Sequence, residues 1–140
     1  MKFWDTSALV PLLVNEASTT AMTSLFFSDP SRAVWWTTPV ECISALTRRL
    51  RSQEIDRAQF DTSLARLAGM QDDWSEAPPT EQIRIEARRL LEAYPLRAAD
   101  AFQLAAALET ARSAPQPLAF VCLDGQLAAA ARSEGFRVEP

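Results

Sequence analysis

At 140 residues, with 48% hydrophobic and 23% charged side chains, the chain has the size and composition of one globular domain, residues 1–140, able to bury a full core. Its 14 Lys and Arg against 18 Asp and Glu leave a net charge of −4, which speaks against broad electrostatic affinity for nucleic acid but not against a local basic site. There is no histidine, which excludes histidine acid/base chemistry, Ser-His-Asp triads, Cys-His nucleophiles and mixed Cys/His zinc sites.

No apolar run approaches the roughly 20 residues that span a bilayer, so no membrane partner is expected. "MKFWD" meets an acid at position 5 before a secretory apolar region can form, so a cytoplasmic protein is expected. Cys42 and Cys122 lack CxxC spacing and read as small buried core residues rather than a disulfide.

In chain order, Lys2–Asp5 reads as a short strand and Ser7–Val14 as a helix around Pro11. A second helical stretch, Ala17–Ser28, stops at "SDPS". "AVWWTTP", Ala33–Pro39, is β-branched and aromatic, a strand by composition, with Trp35-Trp36 read as core packing or, alternatively, an exposed partner contact. Helical periodicity covers about Val40–Arg51 and then Asp56–Gly69, and "DWSEAPP" suggests a short strand and a turn. Thr80–Ala93 is an amphipathic helix, Asp100–Ala111 a largely buried one, and Pro117–Leu123 the clearest strand. Gln126–Ser133 is helical and "FRVEP" a last short strand. Strands alternating with helices predict an α/β domain with a mostly parallel sheet.

Ligands in open parallel sheets bind at the carboxyl ends of strands, where Asp5 and Asp124 fall. Glu41 and Asp100 each stand near a helix start. Every one of these acids has a local explanation: Asp5 and Asp124 as helix caps, Glu41 as the third member of a capping box "TPVE" with Thr38 as cap and Pro39 following, and Asp100 in a first helical turn. Asp100 is the hardest to explain locally, because "LRAADAFQLAAAL" surrounds it with apolar neighbours and offers only Arg97 as a charged partner. Four converging acids would repel one another unless a cation intervened, and an oxygen-only, histidine-free site suits Mg2+, with Mn2+ the close alternative.

The ordered set "DTSAL" with Asp5, "TTPVECISAL" with Glu41, "LRAADAFQLAAAL" with Asp100 and "FVCLDGQLAAAARSEGFRV" with Asp124 resembles PIN-domain ribonucleases, most closely the VapC-type toxins of bacterial toxin–antitoxin pairs. The resemblance spans almost the whole chain. It departs from the family at Cys122, where Thr or Ser is common. It implies a three-layer α/β/α sandwich with a central, mostly parallel sheet. It also implies Mg2+- or Mn2+-dependent hydrolysis of RNA phosphodiesters, with Asp5 and Asp100 as principal metal ligands and Glu41 and Asp124 completing the site. Ser7 is placed to hydrogen-bond a carboxylate or a metal-bound water, or simply to serve as a helix-start hydroxyl.

The implied partners are an RNA substrate, a cognate VapB-type antitoxin and a second copy in a homodimer. Arg48, Arg49 and Arg51 can line an RNA path or receive an acidic partner segment, or only solvate a helix end, while Arg84, Arg88 and Arg89 belong to an exposed helix face. A haloacid-dehalogenase-type phosphatase would want a second Asp at position 7, which is Ser, and that family and response-regulator receivers both need a late lysine, absent after Lys2. The alternatives are a non-catalytic PIN-like protein- or RNA-binding module and a PIN nuclease of RNA processing that is not a toxin.

Overall fold

Five short strands, β1 (Lys2–Trp4), β2 (Arg32–Trp35), β3 (Trp74–Ala77), β4 (Ala119–Val121) and β5 (Arg137–Glu139), pair in parallel throughout, in the order β3-β2-β1-β4-β5. The computed structural model describes all 140 residues. Seven helices connect the strands: α1 (Thr6–Leu13), α2 (Thr19–Ser28), α3 (Thr38–Arg51), α4 (Arg57–Gln71), α5 (Glu81–Ala93), α6 (Ala98–Ser113) and α7 (Gly125–Ser133). No helix is long and apolar enough to cross a membrane.

The central strands β1, β2 and β4 are buried on both faces, so their side chains alternate between two cores. Phe3, Trp35, Phe120 and Cys122 point into one core with α5, α6 and α7. Trp4, Val34 and Val121 point into the other with Leu9, Met22, Leu46, Phe60 and Leu67 of α1 to α4. The result is the expected three-layer sandwich. In the first core Phe3 stacks on Phe120 across β1 and β4, with ring centroids 5.8 Å apart. Ala101, Leu104, Ala105, Ala106 and Ala107 of α6 are all fully buried, and their small side chains let the helix lie close to the sheet.

Two elements differ from the sequence expectation in instructive ways. The strand expected over Ala33–Pro39 ends at Trp35, because Pro39 is well suited to the first turn of a helix and draws Thr38 into α3. The expected capping box at Thr38 is also absent. Thr38 is already helical, and its hydroxyl accepts from the Gln103 side-chain amide at 3.1 Å. The Glu41 carboxylate accepts from side chains, the Thr37 and Thr6 hydroxyls and the Gln103 amide, rather than from the backbone at the helix start. Elsewhere α6 begins at Ala98, two residues ahead of Asp100, and the Pro117–Leu123 strand narrows to Ala119–Val121.

Arg89, expected only on an exposed face, also crosslinks the structure. Its guanidinium donates to Glu86 Oε1 at 2.6 Å and to Glu134 Oε2 at 2.8 Å, joining α5 to the end of α7, and the Tyr94 hydroxyl donates to Glu134 as well.

Candidate active site

The strand order runs one way from β1 through β2 to β3 and the other way from β1 through β4 to β5. The connections therefore diverge at the carboxyl ends of β1 and β4, the position where open parallel sheets leave a crevice. Asp5 follows β1 directly, and Asp124 follows β4 by two residues. Glu41 arrives in the first turn of α3 after β2, and Asp100 in the first turn of α6. All four line one open cleft of about 950 Å3, together with Ser7, Arg48, Arg49 and Arg97. Arg51 is not part of it.

Asp5 is the buried floor of the cleft, with 4% of its surface exposed. It caps α1: its Oδ2 accepts from the Ser7 amide at 3.0 Å and from the Ser7 hydroxyl. Burial pushes its carboxyl up to about 6, the Ser7 donors pull against that, and the charges of Glu41 and Asp100 push the same way as burial. Asp100 is half-buried. Its carboxyl is also raised, first by burial and then by the charge of Asp124, with Arg97 only partly offsetting. Asp124 is exposed and caps α7, accepting from the Leu127 amide at 2.8 Å. The cap explanations of Asp5 and Asp124 are thus correct, and both acids still face the cleft.

Glu41 is held by donors from three segments. Its Oε1 accepts from the Thr37 hydroxyl at 2.7 Å, and its Oε2 from the Thr6 hydroxyl at 2.7 Å and Gln103 Nε2 at 3.0 Å. Gln103 is 1% exposed, and its Nε2 also lies 3.1 Å from the hydroxyls of Thr6 and Thr38, while its Oε1 has no partner. The sequence reading missed Gln103, although the signal was present. It is a polar residue three positions after Asp100 in the same apolar run, and so lies on the same side of the helix.

Ser7 donates to Asp5 and accepts from the Leu123 amide at 2.9 Å, so one hydroxyl ties the start of α1 to the loop that carries Asp124. The Cys122 thiol lies 3.7 Å from Asp5 Oδ2, and burial pushes it up to about 12, so it stays protonated. It supports Asp5 weakly and makes no contact with the Asp124 carboxylate. Cys42 is fully buried in the other core.

As the side chains are set, no three carboxylates or thiols stand close enough together to enclose an ion. The donor set nevertheless suits a hard cation. Carboxylates from four separate segments face one space, histidine is absent, and Asp5 and Asp100 are both raised by burial and by their neighbours' charge.

No protein-family model and no curated protein sequence matches the chain. Among solved structures, its fold is similar to that of a toxin–antitoxin complex from Klebsiella pneumoniae. The TM-score is 0.69, with 17% sequence identity over 100% of this chain and 97% of that one.

Proposed function

We propose that the protein is a Mg2+- or Mn2+-dependent endoribonuclease of the PIN-domain, VapC type, acting as the toxin of a toxin–antitoxin pair. The observation that carries this reading is the convergence of Asp5, Glu41, Asp100 and Asp124 on one cleft at the switch point of a parallel sheet. The fold likeness to a toxin–antitoxin complex and the ordered motifs support it.

Asp5 and Asp100 would hold the metal, with Glu41 and Asp124 completing the set. A bound divalent ion would supply a water acidic enough to attack phosphorus, together with charge neutralisation on the phosphoryl oxygens. The chain's own residues do the rest. Ser7 fixes one Asp5 oxygen, leaving the carboxylate oriented toward the cleft. Thr6, Thr37 and Gln103 hold Glu41 in place, where it can accept a proton from an attacking water. Arg48 and Arg97 at the cleft wall can engage the phosphates on either side of the scissile bond. Attack by water leaves a 5′-phosphate and a 3′-hydroxyl. The proposed partners are a VapB-type antitoxin and a second copy of the chain.

Incubating the purified protein with a mixed RNA pool tests the reading, with Mg2+ or Mn2+, with EDTA, and beside Asp100→Asn. Cleavage is expected only with the metal and the intact acid. Undiminished cutting in EDTA or by the variant would overturn the nuclease reading, and no cutting under any condition would leave the cleft a binding site.

A further inference from the structure

The sequence pair Trp35-Trp36 divides its two rings between different environments. Trp35 is 4% exposed and stacks flat on Phe102 of α6, with ring centroids 5.7 Å apart and planes 4° from parallel. Trp36, in the turn between β2 and α3, is 54% exposed. It borders a second cavity of about 390 Å3, to which Trp36, Phe102 and Pro79 contribute apolar surface and Thr37, Thr80 and Arg84 contribute polar groups. This cavity adjoins the carboxylate cleft, because Glu41 and Ala99 line both.

We propose that this cavity is a subsite for one unpaired nucleobase of the RNA strand, stacked on Trp36 and next to the phosphodiester at the carboxylates. The inference rests on the nuclease reading above. An indole left half in water beside an acidic cleft is poorly placed for the core, but it lines the neighbouring cavity and is accessible to what occupies it. Every base has a π-face that such a ring accepts irrespective of sequence. The Thr80 hydroxyl and the donors of the Arg84 guanidinium not engaged by Glu81 offer hydrogen bonds to a base edge, and the Thr37 hydroxyl, which donates to Glu41, can accept one. A strand crossing from one cavity to the other passes Glu41, so a base held by Trp36 also fixes which phosphodiester reaches Asp5 and Asp100.

The test is a cycle between protein and substrate. Once a cut site is mapped in a 12-residue RNA, kcat/KM is measured for that RNA and for versions with one abasic ribose at each position flanking the cut. Wild type is expected to lose about 5- to 100-fold at one flanking position, the range set by base–aromatic stacking. Trp36→Leu should lose the sensitivity at that position alone, and Trp36→Phe should keep most of it. In EDTA, where no bond is expected to break, quenching of tryptophan fluorescence by the same RNA should shrink in Trp36→Leu.

Equal abasic sensitivity in wild type and Trp36→Leu, or equal quenching, overturns the subsite while leaving the nuclease reading intact. In that event the exposed indole is a protein contact. Absence of any metal-dependent cleavage by wild type overturns both, and so separates failure of the reading from failure of the subsite.

Discussion

Replacing Asp5 with asparagine should stabilise the metal-free protein while abolishing its proposed activity. The carboxyl of Asp5 moves from 3.8 when solvated to about 6 in the fold, chiefly because it is buried. A tenfold loss of acidity corresponds to about 1.4 kcal/mol, so holding this group ionised in the fold costs about 3 kcal/mol at neutral pH. Well below pH 3.8 the acid is protonated in both folded and unfolded chains and costs nothing. As pH rises toward 6 the unfolded chain ionises first, so wild-type stability falls through that window. Asparagine never carries the charge, and its side-chain oxygen can still accept from the Ser7 amide, so the helix cap is retained.

The expected gain is therefore only about 0.5 kcal/mol at pH 4 and reaches up to about 3 kcal/mol above pH 6. For a domain of this size that is a rise in Tm on the order of 10 °C. Thermal melts by circular dichroism in EDTA, from pH 4 to 8, give the difference directly. Dilute protein is needed on the acid side, because the pI is near 4.8. Adding Mg2+ should then raise the wild-type Tm and leave Asp5→Asn unmoved, as ligand binding stabilises only the form that binds. A variant no more stable than wild type at pH 7, or a gain that persists unchanged at pH 4, would refute the account of Asp5 as an uncompensated buried charge.

Gln103→Leu tests whether the donors on Glu41 matter to the metal site. The variant loses a hydrogen bond to a charged group but also removes the orphaned Oε1, two effects of similar size and opposite sign, so its stability should stay within about 1 kcal/mol of wild type. Mg2+ affinity, read by calorimetry, should fall about 10- to 100-fold, the usual cost of losing a residue that orients a ligand; unchanged affinity would rule that role out. Arg89→Ala should cost about 1–2 kcal/mol in urea unfolding, because it leaves the mostly buried Glu86 carboxylate with fewer donors and unties α5 from Glu134. That loss should shrink as pH falls below the ordinary glutamate range, because the unfolded chain takes up the Glu134 proton first and the fold, where Arg89 holds this carboxyl below its usual range, only at lower pH.

The layered fold was legible because short β-branched and aromatic runs in the strands and period-3.6 patterning in the helices are local signals. Asp5 and Asp124 were legible because they sit where strands end, and Glu41 and Asp100 because they stand at helix starts. The misplaced boundaries arose where two local rules competed. In "WWTTP" a β-branched and aromatic run extends into a proline that favours a helix start, and the helix takes Thr38. The capping-box explanation of Glu41 failed for a different reason. A capping box is a short-range pattern, whereas two of the three groups that hold this carboxylate, Thr6 and Gln103, are 35 and 62 residues away in sequence. Burial of Asp5 likewise depends on packing that no window of sequence contains.

For two of the four acids, capping and metal binding do not compete as explanations. A residue that caps the helix following a parallel strand must stand at that strand's carboxyl end, which is the mouth of the crevice. One oxygen of Asp5 and one of Asp124 accept the helix amide, so the backbone fixes where each carboxylate points and its other oxygen remains for the cleft. Capping is then the means by which a flexible acid is preorganised. What separates such a pair from ordinary caps is the company they keep: the nearest charges to Asp5 and Asp100 are predominantly other carboxylates, and Arg49 at the wall is already engaged by Glu16. Arg48 and Arg97 line the same cleft outside any salt bridge. An anionic floor beneath cations free to bind phosphate would reconcile a chain of net charge −4 with the proposed polyanionic substrate. On that reading the arginines would hold the strand, and an ion would supply the positive charge the floor lacks.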